Sequence, residues 1–143
     1  MIAFARVIHA PADMVAEQRF SDDGKVLTSS EDGSARLWLV ESGRQIKEFK
    51  GHSKKLCSAS FSPDDAKVLT CSEATPVHPC STRVWSCDTG ELLLDADKTA
   101  AESTSRQSAQ RPWGCESMFS PDGLHVVRRR SAFSVSRAAA EQC

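Results

Sequence analysis

The chain has 143 residues, of which 40% are hydrophobic and 26% charged, and its 18 basic and 19 acidic residues leave a net charge of -1. This balance excludes a protein that binds nucleic acid unspecifically through a surplus of Lys and Arg. Apolar runs are too short to cross a bilayer and no secretory leader is visible, so we expect no nucleic-acid partner and no membrane partner.

The first elements predicted along the chain are four short strands joined by turns. Asp32-Gly33 predicts a tight hairpin turn, because glycine accepts positive φ without steric cost. The segment from Leu37 to Val40 is apolar at every position, which predicts a strand buried on both faces. The predicted strands are Val15 to Phe20, Lys25 to Ser29, Ser34 to Val40 and Arg44 to Phe49.

The chain then repeats this pattern. A Phe-Ser-x-Asp motif begins at Phe20, Phe61 and Phe119, and an Arg-x-Trp triplet ends at Trp38 and again at Trp85. The repeat predicts two complete units in residues 1–95 and a partial third unit with a tail in residues 113–143. Residues 96–112 are polar and small with no apolar face, and we expect a loop or linker there.

The repeated motifs resemble the WD40 repeat, whose units of about 40 to 45 residues form the four-stranded blades of a β-propeller. Gly51-His52, the Phe-Ser-Pro-Asp motif at Phe61 and the segment from Ser30 to Trp38 carry this resemblance. It covers about two and a half repeats. The resemblance implies an all-β fold: an incomplete WD40-like β-propeller of consecutive four-stranded antiparallel blades.

Such a stack does not close a ring, because propellers typically have about four to eight blades. An open stack leaves apolar faces and strand edges exposed. We therefore expect a fragment of a larger propeller, or a chain that needs further blades or self-association to cover its faces.

The resemblance also implies a buried hydrogen-bond chain in each blade, formed by a histidine before the first strand, a Ser or Thr on the second, a turn Asp and the Trp. The second unit has no turn Asp and is longer at that point. The implied members are His9, Ser30, Asp32 and Trp38 in the first unit and His52, Ser72 and Trp85 in the second.

A cysteine cluster gives an alternative function, a metal-binding or redox module. Cys71, His78, Cys80 and Cys87 could supply thiolate and imidazole ligands for zinc. Their spacing contains no Cys-x-x-Cys pair, however, and Cys71 aligns with Ser29 inside a strand. We therefore expect no metal or cofactor and six free thiols in a reducing compartment, the cytoplasm or alternatively the nucleus.

We expect a non-catalytic scaffold that binds other proteins or peptides. The sequence has no glycine-framed nucleophilic serine and no phosphate-binding glycine loop, so no enzyme is predicted. Rigid blades hold variable loops at their rim, where partners bind. The predicted contact residues lie in the insertion from Ala74 to Cys80 and are Pro76, His78 and Pro79. We interpret Arg128 to Arg130, beside Ser131, as a solvated edge, with a kinase or phosphopeptide site as the alternative.

Overall fold

The structure, a computed structural model, describes residues 15–73, 80–96, 117–128 and 131–134. Within these residues eleven strands form three antiparallel sheets. Each sheet consists of strands that follow one another in the sequence, which is the arrangement expected for blades. The all-β fold with consecutive antiparallel blades is therefore confirmed.

The first sheet has the strand order β1-β2-β3-β4. Its strands are β1 Val15–Phe20, β2 Lys25–Ser30, β3 Ala35–Leu39 and β4 Arg44–Phe49. The predicted bounds of β1 and β4 agree with the structure, β2 extends one residue further, and β3 is one residue shorter at each end. Leu37 and Trp38 are buried although they point to opposite faces, so this sheet is covered on both sides at β3.

The second sheet repeats this order as β5-β6-β7-β8. Its strands are β5 Leu56–Phe61, β6 Lys67–Ser72, β7 Thr82–Ser86 and β8 Leu92–Asp95. In both sheets the repeated Phe and Trp lie in one row across the strands. Phe20 pairs with Val26 and Val26 with Trp38 in the first sheet, and Phe61, Val68 and Trp85 pair in the same way in the second.

The third sheet has three strands in the order β11-β10-β9. They are β9 Ser117–Phe119, β10 His125–Arg128 and β11 Ser131–Ser134. Phe119 pairs with Val126, and Val126 pairs with Phe133. Phe133 therefore occupies the register position that tryptophan has in the other two sheets. The sequence predicted a partial third unit without this tryptophan, and the register identifies what stands in its place.

The Phe-Ser-x-Asp motif forms the same turn three times, between the first and second strands of each sheet. The serine hydroxyl donates to the aspartate two residues later, at Ser21, Ser62 and Ser120. The same serine oxygen accepts the backbone N–H that starts the next strand, from Lys25, Lys67 and His125, at 2.8, 2.9 and 3.0 Å. The motif is repeated because the same serine and aspartate form the hydrogen bonds of each turn.

Two apolar clusters join the three sheets. The first packs Leu27, Leu37 and Phe49 of the first sheet against residues of the second that include Val68 and Trp85. The second packs Leu69 and Val84 of the second sheet against Val126 of the third, with Phe119 at its border. The sheets therefore stack face to face, and within the described residues they do not close a ring.

Little of the predicted linker is described. Ala96 is buried, and residues 97–112 lie outside the described residues. Among the residues that the structure describes, no helix is long and apolar enough to cross a membrane.

Candidate functional site

A chain of hydrogen bonds crosses the second blade. Trp85 Nε1 donates to Thr70 Oγ1 at 2.8 Å, and that oxygen lies 2.7 Å from His52 Nε2. His52 Nδ1 lies 2.6 Å from Ser81 Oγ, which lies 2.8 Å from Ser72 Oγ. The chain therefore ties the loop before β5 to strands β6 and β7.

His52 is neutral within this chain. Burial, together with the nearby positive charge of Arg83, lowers the pKa of His52 to about 4. A neutral imidazole has one donor and one acceptor nitrogen. Because Thr70 already accepts from Trp85, its hydroxyl can donate to Nε2 while Nδ1–H donates to Ser81. Every hydrogen bond then has one donor and one acceptor.

This geometry favours a structural role for His52. Ser81 and His52 are close enough to resemble the serine and base of a hydrolase. However, His52 is only 8% exposed and both of its ring nitrogens bond to hydroxyls of its own blade. The imidazole could accept a proton from a substrate only if one of these bonds broke.

The first blade contains the same tryptophan contact. Trp38 Nε1 donates to Thr28 Oγ1 at 3.0 Å. Asp32 stabilises the hairpin in which it lies. Its Oδ1 accepts hydrogen bonds from Ser34 N and Ser34 Oγ at 2.8 and 2.6 Å, and its Oδ2 accepts one from Arg36 Nη2 at 2.6 Å. Although burial opposes the change, these bonds from Ser34 and Arg36 lower the pKa of Asp32 to about 2.

The structure thus brings together some of the predicted residues and replaces others. His9 lies outside the described residues. Ser30 Oγ accepts the backbone N–H of Asp32 at 3.3 Å, and the indole of the first blade uses Thr28 instead. Ser72 is in the chain, but it is linked to His52 through Ser81 and does not contact Trp85 directly.

Sequence reasoning missed three hydroxyl residues, Thr28, Thr70 and Ser81. A signal for the two threonines was present: Lys-Val-Leu-Thr occurs at residues 25–28 and again at residues 67–70. An identical tetrapeptide at equivalent positions indicates that both threonines serve the same purpose. Ser81 also had a signal, because Ser-x-Arg-x-Trp occurs at residues 34–38 and again at residues 81–85, which places Ser81 at the position of Ser34.

Two arginines at equivalent positions differ in their partners. Arg36 Nε donates to Glu48 at 3.1 Å, and Arg83 Nε donates to Asp95 at 3.2 Å. Arg36 also binds Asp32, whereas Arg83 Nη1 is buried and has no hydrogen-bond partner among the described residues. A Cβ at Gly51 would lie 2.8 Å from this nitrogen, so the backbone of the loop before β5 closes over it.

The loops at this end of the first two blades form one connected surface, which we call the loop rim and define as residues 31–34, 50–55 and 73. Gly33 has a φ of +84°, and a Cβ there would lie 2.9 Å from the carbonyl oxygens of His52 and Lys54. Lys55 Nζ forms an ion pair with Glu31 at 2.6 Å. The hairpin of one blade therefore supports the loop that carries the histidine of the next.

The cysteine cluster does not form a metal site in the part of the chain that is described, where no three His, Cys, Asp or Glu side chains could hold a metal ion together. Cys57, Cys71 and Cys87 are in the reduced thiol form. Cys80 is disulfide-bonded, so the prediction of six free thiols is wrong for this residue, and its sulfur is not available as a thiolate ligand. Burial raises the pKa of the Cys87 thiol to about 11, which disfavours the thiolate that zinc requires.

Pro76, His78 and Pro79, which the sequence predicts to contact a partner, lie outside the described residues. His78 is also one of the predicted zinc ligands, so that prediction too falls on a residue that is not described. Arg129 and Arg130 also lie outside them. The structure therefore describes the base of the insertion, where Glu73 is exposed and Cys80 is buried.

Comparison with known proteins identifies the family. The model of the WD domain, G-beta repeat, matches residues 6–38 and 43–86, which together are more than half of the chain. The matched residues include Trp38 and Trp85 and end before β8 of the second blade. The chain belongs to the WD40 repeat family, as the resemblance in the sequence implied.

Three relatives show how far the similarity extends. Over 46 residues, which are 32% of this chain, it is 48% identical to a guanine nucleotide-binding protein subunit beta of Lymnaea stagnalis. Over a segment of the same length it is 46% identical to the guanine nucleotide-binding protein subunit beta-1 of Caenorhabditis briggsae. Over 86 residues, 59% of this chain, it is 37% identical to the SIR4-interacting protein SIF2 of Saccharomyces cerevisiae. In each case the matched segment spans 14% of the relative's length.

Proposed function

We propose that this chain is a non-catalytic scaffold that binds other proteins or peptides through the loop rim. The observation that carries the proposal is the contact between Gly33 and the carbonyl groups of His52 and Lys54, which joins the loops of two blades. The ion pair between Glu31 and Lys55 joins the same two loops on the solvent side. Membership of the WD40 family supports the protein-binding part of this proposal.

The rim is suited to binding because its backbone is already ordered. A binding surface that is preorganised loses less conformational freedom when a partner docks. Lys50, Lys55 and Glu73 are exposed at the rim, and charges in such positions set specificity and association rate more than affinity. We therefore expect partners with a polar or charged contact surface.

The absence of catalysis is part of the proposal. The His52 imidazole, which would be the general base, is buried and bonded on both sides to Thr70 and Ser81. A general base must reach a substrate proton directly or through one water molecule. The ring has no free nitrogen for this purpose while the blade is intact.

The partner itself is not carried over from the relatives. One of them is by its name a protein that interacts with SIR4, which agrees with a binding role in general. The matched segment is 14% of that protein, so its partner is not assigned to this chain. We propose that no nucleic acid and no membrane is bound, and that Pro76, His78 and Pro79 extend the contact surface between β6 and β7.

A charge-reversal pair tests the proposal. Lys55→Glu changes an exposed cation at the rim, and Arg44→Glu makes the same change at the opposite end of the first blade. Each form is used as bait in cells that express the chain, and captured proteins are quantified by mass spectrometry. We expect Lys55→Glu to lose specific partners by roughly tenfold while Arg44→Glu retains them. Equal capture by both variants, or no specific partner of the wild type, would contradict the proposal.

We also propose that the chain resides in the cytoplasm, with the nucleus as the alternative. The reduced thiols of Cys57, Cys71 and Cys87 agree with a reducing compartment, whereas the disulfide at Cys80 is typical of an oxidising one. Imaging of a tagged chain, combined with alkylation of Cys80 in freshly lysed cells, distinguishes these compartments. Location in a secretory compartment with Cys80 protected from alkylation would overturn the prediction.

A further inference from the structure

A turn carboxylate distinguishes the first blade from the second. In the first blade Asp32 follows a Ser-Glu pair at residues 30–31, whereas in the second blade Ala74 follows the equivalent pair at residues 72–73. The insertion that begins there, residues 74–79, contains no Asp or Glu. The hairpin of the second blade therefore has no carboxylate of its own that could do what Asp32 does.

The two oxygens of Asp32 have separate partners. Oδ1 accepts from the backbone N–H and the hydroxyl of Ser34, and Oδ2 accepts from Arg36 Nη2 at 2.6 Å. In the second blade Ser72 Oγ takes the place of Oδ1, since Ser81 N donates to it at 3.1 Å and Ser81 Oγ lies 2.8 Å from it. No group in the described part of the chain takes the place of Oδ2.

Arg83, the equivalent of Arg36, is therefore left with unfilled donors. Its Nε donates to Asp95 at 3.2 Å, which is the one hydrogen bond of this side chain within the described ranges. Nη1 is buried and has no partner there. The side chain as a whole is 19% exposed, so part of it is open to solvent. A guanidinium that keeps its charge but lacks one of two carboxylates is suited to bind an anion.

The hydrogen-bond chain of the second blade ends at another unfilled donor. Its direction is fixed by Trp85, because an indole N–H can only donate. The chain passes through Thr70 and the neutral His52 to Ser81 Oγ, which accepts from His52 and so donates its own hydrogen to Ser72 Oγ. Ser72 then accepts twice, and its hydroxyl hydrogen has no acceptor among the residues that the structure describes.

The two unfilled donors lie beside the same position. Ser72 and Arg83 are the equivalents of Ser30 and Arg36, and in the first blade both of these contact Asp32. Ser30 Oγ accepts the backbone N–H of Asp32 at 3.3 Å, and Arg36 binds the carboxylate. The repeat therefore places both donors next to the point where a turn carboxylate would lie.

We propose that this position binds a carboxylate of a partner protein, an Asp or Glu side chain, through Arg83 and Ser72. The partner supplies from outside the group that Asp32 supplies within the first blade. A carboxylate and a guanidinium form charge-assisted hydrogen bonds, which are stronger than neutral ones. The position adjoins the loop rim, because the backbone at Gly51 covers Arg83 Nη1. That the carboxylate belongs to a protein partner rests on the proposed function, whereas the binding of an anion does not.

The first test measures binding of a small carboxylate to the purified chain. The Nε–H resonances of Arg83 and Arg36 are followed by NMR while aspartate, capped at both ends of its backbone, is added at constant ionic strength. Arg36 is the internal control, because Asp32 already occupies its position. We expect a saturable shift at Arg83 and none at Arg36. Capped asparagine, which is neutral, should bind roughly tenfold more weakly or less.

Two variants extend this test. Arg83→Gln should abolish binding of the probe. Asp32→Ala should open the equivalent position in the first blade, so that Arg36 also responds to capped aspartate. The response of Arg83 in the same molecule shows that this variant keeps its fold. Failure of Arg36 to respond while Arg83 does would contradict the argument from the equivalence of the two blades.

The second test asks whether a protein partner uses the position. Arg83→Gln and its matched control Arg36→Gln are used as baits in cells that express the chain, and circular dichroism checks that each keeps its strands. We expect Arg83→Gln to capture specific partners roughly tenfold less than the wild type, and Arg36→Gln to capture them undiminished.

The proposal and the proposed function fail on different results. No saturable shift at Arg83, or equal shifts at both arginines, would overturn the carboxylate site. Tighter binding of capped phosphoserine than of capped aspartate would assign the site to a phosphopeptide instead. Undiminished capture by Arg83→Gln would show that partners at the loop rim do not use it. If the probe binds Arg83 but the wild type captures no partner, the proposed function fails and the binding position for a carboxylate stands.

Discussion

The ring of Trp85 packs against the ring of Phe49, with centroids 5.8 Å apart and planes inclined by 45°. Phe49 is the last residue of β4 in the first blade, and Trp85 lies on β7 of the second. The same indole donates its N–H to Thr70 within its own blade. Trp85 therefore joins the packing between blades to the hydrogen-bond chain inside one of them, and its neighbours are good places to test the structure.

Replacing the threonine hydroxyl beneath each tryptophan should destabilise the two blades unequally. Thr70→Val removes the acceptor of Trp85 and the partner of His52, whereas Thr28→Val removes the acceptor of Trp38. A buried donor without a partner costs about 1 to 3 kcal/mol. We expect a loss of about 2 to 4 kcal/mol for Thr70→Val and about 1 to 2 kcal/mol for Thr28→Val. Urea unfolding followed by tryptophan fluorescence measures both, and an equal loss would contradict the longer chain in the second blade.

Two glycines with similar backbone angles should respond differently to alanine. Gly33 and Gly24 have φ values of +84° and +80°, but only Gly33 has backbone atoms within 4 Å of a Cβ position, at 2.9 Å. Gly24→Ala should cost about 1 to 2 kcal/mol, the penalty for a left-handed conformation. Gly33→Ala should cost more because the loop carrying His52 must move. Thermal unfolding compares them, and equal melting temperatures would show that the hairpin does not support that loop.

Stability should fall as the pH drops from about 6.5 to about 4, because of His52. Its pKa is lowered to about 4 in the folded chain, so in this range the unfolded chain binds a proton that the folded chain does not. The stabilisation is fully present above about pH 6.5 and is lost progressively below it, on the order of 3 kcal/mol in all. His52→Asn should be less stable at pH 7 and should lack this pH dependence.

The control for the pH experiment is His125→Asn, which changes an exposed histidine at the turn end of the third sheet. Urea unfolding of the wild type and both variants at several pH values gives the comparison. A wild type whose unfolding free energy is constant between pH 7 and pH 5 would contradict the burial of a neutral His52. If His125→Asn also lacked the pH dependence, the dependence would not come from His52 alone.

Chelation should leave the stability unchanged. Cys80 is disulfide-bonded and the Cys87 thiol has a pKa raised to about 11 by burial, so neither offers a thiolate at neutral pH. We expect purified protein to contain no stoichiometric zinc by atomic emission, and its melting temperature to be the same with and without a chelator. One zinc per chain, lost together with stability on chelation, would restore the metal-binding alternative.

The sequence predicted the strands well because the repeat contains its own turn chemistry. Asp32-Gly33 and the three Ser-x-Asp turns place the ends of the strands through local hydrogen bonds, which depend on residues only a few positions apart. The sequence alone could not show which hydroxyl accepts the hydrogen bond from the tryptophan indole. Ser30 and Thr28 lie on the same face of β2, and only the pairing of Val26 with Trp38 brings Thr28 to the indole.

The third sheet shows the same limit more clearly. The triplet that marks the third strand is missing there, so the sequence offered no equivalent of Trp38 or Trp85. Pairing of Val126 with Phe119 on one side and Phe133 on the other places Phe133 in that position. A register between strands is set by the turns and by packing on the neighbouring sheet, neither of which is visible in β11 alone.

By itself, the sequence determined the family, the all-β class, the number of tryptophan-centred units and most strand boundaries. These follow from short motifs whose effects are local. Only the tertiary structure decided that Ser81 bonds to His52 in a blade that has no turn aspartate, that Cys80 is oxidised, and that Phe20 and Val127 are exposed at opposite ends of the stack. These features depend on which residues, distant in the sequence, meet when sheets pack face to face, and burial and pairing are properties of that packing.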